Sequence, residues 1–188
     1  TLTGVQGFAG LGPAGGQFGG TFLRSATGNV VTLQLDNLPA HTAIDLSFLF
    51  AAIDSLDGSG VFPSGDYFVV SVDGVTIFNQ SFANALPSQI QSYVPPPGVE
   101  LARHVNLGFV GPGSGPYYTD SAYDFGADPV FRDIPHTASS ATIRFFIQAS
   151  QGLDDESWAM DQLAVTVTPE GPPTQADTVL GHVGGIDG

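Results

Sequence analysis

The chain has 188 residues, the length of a single domain, and contains no cysteine. The missing cysteine excludes disulfide scaffolds, thiolate zinc sites, iron–sulfur clusters and thiol catalysis. Only 12% of the residues are charged, yet 18 acidic residues against 4 basic ones give a net charge of −14. A chain this acidic is repelled by phosphate backbones, which argues against nucleic acid as a partner. No apolar run of about 18 residues is present, so the sequence predicts no membrane span.

The first half of the sequence consists of short strand patterns separated by turns. Residues 1–20 are rich in glycine and predict an irregular N-terminal arm that enters a strand near 21–23. Apolar and polar residues then alternate at 31–35 and again at 44–50. A period of two residues is typical of half-buried strands, so both stretches are predicted strands.

The strongest turn signal is the Asp73-Gly74 pair, which separates strand-like runs at 67–73 and 75–78. Asp-Gly favours a two-residue hairpin turn because both central residues of that turn need positive φ angles. The sequence therefore predicts a β-hairpin at this point.

The second half of the sequence is less regular. Residues 86–135 mix proline- and glycine-rich loops with a short predicted strand near 105–110. Two last strands are predicted at 142–147 and 159–167. No stretch shows the 3.6-residue period of an amphipathic helix, so the whole chain is predicted to be all-β.

Short strands at this spacing, joined by long loops, favour a two-sheet antiparallel jelly-roll sandwich. We assign the sandwich to residues 21–168, with long Gly/Pro loops and extended termini. The termini are the glycine-rich arm at 1–20 and a tail at 169–188 whose composition indicates a linker or a terminal arm.

Acidic residues concentrate in two loops at predicted strand ends, and none of the four arginines adjoins them in sequence. Converging carboxylates without basic partners repel one another unless a hard cation holds them, and Ca²⁺ takes about 6 to 8 oxygen ligands. The alternative is that these acids are solvated loop residues, since Asp-Gly is common in turns. The first group is Asp54, Asp57 and Asp66, and the second is Asp154, Asp155, Glu156 and Asp161.

The two acidic groups lie in strings, 54–78 and 152–165, that resemble recurring patterns in secreted jelly-roll domains. These domains are related in style to MAM and carbohydrate-binding-module sandwiches, and the resemblance extends over about residues 42–167. The sequence has Leu56 where the family pattern usually has Trp, and Gln162 where it usually has Asn.

The resemblance implies a structural calcium ion, which would pin two loops that are far apart in sequence. Because calcium is plentiful outside cells and scarce inside them, it also implies an extracellular protein, secreted or at the cell surface. Glu156 is ranked below the aspartates because neighbouring residues on an extended chain face opposite ways. The implied ligands are Asp54, Asp57, Asp66, Asp155 and Asp161, followed by Glu156.

The sequence contains no complete catalytic or cofactor-binding motif and therefore predicts that the protein is not an enzyme. The glycine string that begins at Gly10 fits a dinucleotide motif but follows no strand and contains Pro13. The four histidines share no metal-ligand spacing, and no Gly-x-Ser-x-Gly elbow occurs. A glycosidase needs two carboxylates that flank a sugar. Glutamate is rare in this sequence, and Glu156 lies in the predicted metal loop, so no such pair is evident.

Three tyrosines in the long Gly/Pro region are candidate glycan contacts. Exposed rings of Tyr117, Tyr118 and Tyr123 would stack on sugars, as aromatic faces do on apolar ligand surfaces. The alternative, which we favour, is that this loop packs on its own sandwich. Trp158, at the start of the last strand, is a predicted core residue.

Two functions remain open on sequence alone. The favoured one is an extracellular, non-catalytic, calcium-stabilised structural subunit that associates with copies of itself in a surface layer, matrix or filament. Low charge with high apolar content supports it, because large apolar patches mark interfaces. The alternative is a carbohydrate-binding or adhesion module, which has a glycan as its partner. Fold alone does not separate them, since sandwiches host many functions.

Overall fold

A computed structural model describes residues 1–3, 6–9, 21–59, 65–84, 86–105, 107, 119–153 and 155–171. Over these ranges the chain forms β-strands and one short 3-10 helix, Pro129–Phe131. The strands are β1 (Leu2–Thr3), β2 (Gln6–Ala9), β3 (Thr21–Ala26), β4 (Val31–Asp36), β5 (His41–Asp54), β6 (Tyr67–Val72), β7 (Val75–Ser81), β8 (Glu100–Val105), β9 (Asp120–Asp124), β10 (Ile134–Pro135), β11 (Ser140–Gln148) and β12 (Glu156–Pro169).

The strands form two antiparallel sheets that pack face to face. The five-stranded sheet has the order β1-β4-β11-β6-β7. The seven-stranded sheet has the order β2-β3-β12-β5-β9-β8, with β10 added beside β5. Without the short or peripheral strands, the orders are β4-β11-β6-β7 and β3-β12-β5-β9, which is the eight-strand jelly roll with two Greek keys. The predicted all-β jelly-roll sandwich is confirmed.

The predicted hairpin is also present. Strands β6 and β7 pair directly and are joined by Asp73 and Gly74, whose φ angles are 49° and 81°. Two successive positive φ angles match the twist of the flanking strands, which is why Asp-Gly is favoured there.

The longest pairing in the molecule joins β5 and β12, which have 14 residues each. Its register places Glu156 opposite Asp54 at one end and Pro169 opposite His41 at the other. The register shifts twice, between Asp161 and Ala164 and between Thr168 and Pro169, where β-bulges or irregularities interrupt the ladder. This pairing therefore fixes which side chains meet at each end of the sandwich.

The main core between the sheets is built around a cluster of aromatic rings. Phe125 lies at its centre, with ring centroids 5.0 Å from Phe131 and 5.2 Å from both Phe48 and Phe50. Offset and edge-to-face arrangements at these distances add to the free energy of burial. Trp158 is fully buried in the same core, as predicted.

Several boundaries differ from the sequence-based prediction. The glycine-rich segment is not wholly irregular, because β1 pairs with β4 and β2 pairs with β3, while 10–20 lies outside the described residues. The strand expected near 105–110 ends at Val105, and most of that range is also outside the described residues. The last strand extends to Pro169, and the tail from 172 onward lies outside the described part. No helix in the described ranges is long and apolar enough to cross a bilayer.

We predict that Phe125→Ala lowers the free energy of unfolding by about 3 to 5 kcal/mol, because it removes a fully buried ring and leaves a cavity. Val94→Ala is the matched control, since Val94 is 83% exposed and its truncation removes little buried area. Urea unfolding of the two variants measures the difference. Equal stabilities for both would contradict the placement of Phe125 at the centre of the core.

Candidate metal centre

Three carboxylates from separate parts of the sequence converge at one end of the sandwich. Asp57 follows β5, Asp66 precedes β6, and Glu156 begins β12. One carboxylate oxygen from each lies within 4.8 Å of the others, the separation at which one cation can bind all three. We refer to Asp57, Asp66 and Glu156 as the carboxylate trio.

Glu156 is the most deeply buried member of the trio, with 1% of its surface exposed. It lies on the same side of β12 as Trp158 and Met160, because residues two apart on a strand share a face. Among the described residues, its Oε2 atom has no hydrogen-bond partner. Burial, followed by the negative charges of Asp66 and Asp57, raises the pKa of Glu156 to about 8. A side-chain hydrogen bond with Gln151 opposes this rise. A buried carboxylate with one unpartnered oxygen is nevertheless costly unless a proton or a cation neutralises it.

Asp66 is 3% exposed, and its Oδ2 atom accepts a hydrogen bond from the backbone N–H of Asp57. Burial raises the pKa of Asp66 to about 6, although the backbone hydrogen bonds from Asp57 and Gly58 oppose that change. The burial effect exceeds the effect of the hydrogen bonds. Without a cation, Glu156 and Asp66 therefore retain their protons to higher pH than ordinary surface carboxylates do.

Asp57 is half-buried and links the trio to a neighbouring loop. Its Oδ1 atom accepts a 2.6 Å hydrogen bond from Gln89 Nε2. Two residues further on, the backbone N–H and hydroxyl of Ser59 donate to the carbonyl of Ile90 at 2.7 and 2.6 Å. The loop that carries Asp57 is thus fixed to the segment around 89–90.

The arrangement suits a hard divalent cation. Three carboxylates supply charge, and the loops around them carry hydroxyl and carbonyl oxygens that calcium accepts in irregular geometry. Mg²⁺ demands a near-octahedral shell and gives up its water reluctantly, so it fits a site with converging side chains less well.

The other predicted ligands are not members of the trio, although Asp54 lies opposite Glu156 in the β5–β12 register. Asp54 has a φ angle of 67°, its N–H donates to Asp120 Oδ1 at 3.2 Å, and its charge acts on Arg24. Asp155 Oδ1 accepts a 2.9 Å hydrogen bond from the Ser55 hydroxyl. Neither residue belongs to the trio, although Asp155 is close enough to raise the pKa of Glu156.

Asp161 also lies apart from the trio. It is opposite Leu49 in the β5–β12 register, five positions along the strand from Glu156, and its Oδ1 accepts a 2.8 Å hydrogen bond from the Gln162 N–H. An odd separation along a strand places the two side chains on opposite faces. Asp154 lies outside the described residues.

Arg24 lies close to Asp54 of the first acidic group, although the two residues are far apart in sequence. It is 1% exposed, and its Nε and Nη2 atoms donate to the Ser157 hydroxyl at 3.0 and 2.9 Å. Burial lowers the pKa of Arg24 to about 10, while Asp120 and Asp54 oppose that change. Asp54 therefore has a basic partner in space, although no arginine adjoins it in sequence.

The three candidate glycan contacts have different outcomes. Tyr123 is fully buried in the main core, and its hydroxyl lies 3.4 Å from Gln91 Oε1. An exposed platform at Tyr123 is therefore wrong, because the ring packs against Phe82 and Tyr93 inside the sandwich. Tyr117 and Tyr118 lie outside the described residues.

Known proteins resemble this chain weakly, and only at the level of solved structures. No model of a protein family matches the sequence, and no curated protein matches it. The solved structures that match include the catalytic domain of a GH87 alpha-1,3-glucanase in complex with nigerose and a variant of such a domain in complex with tetrasaccharides. Both are 17% identical to this chain, with TM-scores of 0.32 and 0.33. The match covers 93% of this chain and only 27% of the glucanase chain.

These matches correct one sequence-based expectation. The solved structures are catalytic domains, so the expectation that the protein is not an enzyme is withdrawn. TM-scores this low carry no argument for a particular activity. Catalysis is therefore neither assigned to this chain nor denied to it.

We predict that Glu156 makes the protein less stable as pH rises when calcium is chelated. Its pKa is raised from an ordinary 4.5 to about 8, so its stabilising effect is complete below pH 4.5 and is lost as pH rises through about 8. Glu156→Gln removes this dependence because the amide stays neutral. The free energies of unfolding of wild type and variant, measured in chelator from pH 4 to 9, should diverge progressively, with the variant more stable at pH 9. Parallel curves across this range would contradict the raised pKa that burial gives Glu156.

Proposed function

We propose that this chain is an extracellular structural module that binds calcium at the carboxylate trio and associates with copies of itself. The observation that carries the proposal is Glu156, a buried carboxylate with an unpartnered oxygen that faces two further carboxylates. A bound Ca²⁺ would replace the protons that the trio otherwise retains. It would also tie the start of β12 to the loops before β6 and after β5.

The small number of carboxylates supports an extracellular location. Sites of modest charge in extracellular modules bind calcium with dissociation constants of about 10⁻⁴ to 10⁻³ M. Such a site fills at the millimolar calcium of extracellular fluids and stays empty in the cytoplasm.

The segment 86–94 supports self-association, because it exposes three large apolar side chains within nine residues. Leu86, Ile90 and Val94 are 50%, 73% and 83% exposed. Clustered exposed apolar residues mark interaction surfaces more often than scattered ones. Gln89 and Ile90 from this segment bind the loop of Asp57, so a calcium ion at the trio would hold the apolar segment in place.

The described residues favour self-association over the glycan-binding alternative. An aromatic platform is the usual means of stacking on sugars, and the exposed large hydrophobic residues of the described chain are all aliphatic. Tyr123 is in the core. The resemblance to MAM-like and carbohydrate-binding-module-like sandwiches belongs to this proposal and is compatible with either function.

We predict that calcium stabilises the wild-type protein and leaves Glu156→Gln unaffected. At a tenfold excess of free calcium, which about 1 mM calcium gives for a dissociation constant of about 10⁻⁴ M, linkage adds about 1.4 kcal/mol and raises Tm by roughly 3 to 6 °C in a domain of this size. Thermal unfolding in calcium and in chelator measures the shift. Glu100→Gln is the matched control, since its side chain is 37% exposed and lies outside the trio.

The calcium proposal fails if wild-type Tm is the same in millimolar calcium and in chelator. It also fails if Glu156→Gln retains the full calcium-dependent shift, because the ion would then bind at another place. Loss of the shift in Glu100→Gln as well would indicate a general charge effect.

We predict that the wild-type protein forms higher-order species in millimolar calcium and reverts to monomers in chelator. Val94→Asp should remain monomeric in calcium with its Tm shift intact, because a charge at an 83% exposed position breaks the apolar contact without disturbing the core. Val30→Asp is the control, since Val30 is exposed but lies outside the segment 86–94. Sedimentation velocity measures the assembly state. A wild type that is monodisperse in both conditions would exclude self-association.

A further inference from the structure

Two buried histidines and one aspartate form a continuous hydrogen-bonded row at the end of the sandwich opposite the carboxylate trio. His41 Nδ1 lies 2.6 Å from the Pro39 carbonyl oxygen, and His41 Nε2 lies 2.7 Å from His136 Nδ1. His136 Nε2 lies 3.0 Å from Asp73 Oδ2. The rings are 2% and 8% exposed, so water does not replace these contacts. We refer to Pro39, His41, His136 and Asp73 as the histidine row.

The ring geometry fits hydrogen bonding through the edges of the two imidazoles. Their planes lie within 13° of each other, with centroids 4.9 Å apart. A separation of 2.7 Å between His41 Nε2 and His136 Nδ1 places the facing nitrogens at hydrogen-bond distance.

The row needs more hydrogens than two neutral histidines supply. It begins at a backbone carbonyl and ends at a carboxylate, both of which only accept hydrogen bonds. Three links therefore need three hydrogens, whereas two neutral imidazoles carry one N–H each. Without an additional proton, two lone pairs must face each other at one of the links.

The row joins the two sheets of the sandwich. His41 begins β5, and His136 follows β10, which pairs with β5 in the seven-stranded sheet. Asp73 belongs to the turn between β6 and β7 in the five-stranded sheet, and its Oδ1 accepts a 2.7 Å hydrogen bond from the Thr142 N–H of β11. A proton in the row thus affects a contact between the sheets.

We infer that the histidine row is a binding site for one additional proton and that this proton latches the β6–β7 turn to the seven-stranded sheet. With the proton present, both imidazoles and the carboxylate complete all three hydrogen bonds. When the proton leaves, two lone pairs face each other at one of the three links, and that hydrogen bond is lost. The Asp73 side chain is 43% exposed, so the outermost link, between His136 and Asp73, is the one that water enters.

Other charged groups on the packed elements do not substitute for this proton. Among the described residues, Asp73 is the charged group within ion-pair distance of either ring. The remaining charged groups on the adjoining elements are not in contact with the rings. They are Asp36 on β4, Asp45 on β5, Arg132 and Asp133 before β10, Arg144 on β11 and Glu170 after β12.

The test follows the histidine nitrogens and one amide through a pH series. Nitrogen-15 NMR of the imidazoles should show three N–H groups shared by His41 and His136 at low pH and two after the proton leaves. Exchange of the Thr142 amide with solvent, corrected for its intrinsic pH dependence, should become about tenfold faster over the same pH interval.

Asp73→Asn keeps the contact between His136 and residue 73 without the additional proton. The asparagine amide donates the third hydrogen itself, and its oxygen still accepts from the Thr142 N–H. In this variant, two N–H groups are expected at all pH values where the protein is folded, and Thr142 protection should not change with pH. Asp36→Asn is the charge-matched control, since Asp36 contacts Gln34 and lies outside the row. It should behave as the wild type does.

Three results would overturn the inference. One is a wild type with only two imidazole N–H groups throughout the series. A second is loss of the third hydrogen without any change in Thr142 exchange. The third is an Asp73→Asn variant whose Thr142 protection follows pH as in the wild type.

Discussion

Strands β5 and β12 run beside each other for most of their 14 residues, and their register determines what meets at both ends of the sandwich. At one end it brings Glu156 to the rim where the loops of Asp57 and Asp66 return. At the other end it places His41 beside the end of β12 and within reach of His136. A slip of one residue would turn Glu156 to the outer face and remove both arrangements.

Burial gives the two ends a common character. At one end, buried carboxylates have no cationic side chain among them to balance their charge. At the other end, two buried imidazoles have too few N–H groups to complete their hydrogen bonds. The carboxylate trio has excess negative charge, and the histidine row lacks one hydrogen. Under the two proposals made above, a cation would supply the first deficit and a proton the second, and each would strengthen a contact between the two sheets.

The sequence was sufficient for the fold and for part of the site. Alternating apolar residues and the Asp73-Gly74 turn are local signals, so they predicted the strands and the hairpin correctly. The choice among the acids depends on register, which is not local. Neighbours on a strand do face opposite ways, but the side of β12 that faces the trio is the side of Trp158, and this selects Glu156 instead of Asp155. The position of Arg24 beside Asp54 could not be predicted, because it depends on the pairing of β3 with β12, which are far apart in sequence.

Gly58 shows how the loop of Asp57 is shaped before any ion arrives. Its φ angle is 81°, and a Cβ atom there would stand 2.5 Å from the carbonyl oxygen of Ile90 and 2.9 Å from the side chain of Ala83. Only glycine combines that backbone conformation with so close an approach. The close approach at Gly58 therefore adds to the hydrogen bonds of Asp57 and Ser59 in holding the loop against its neighbours, and a cation at the proposed site would bind a loop whose conformational entropy was already lost during folding.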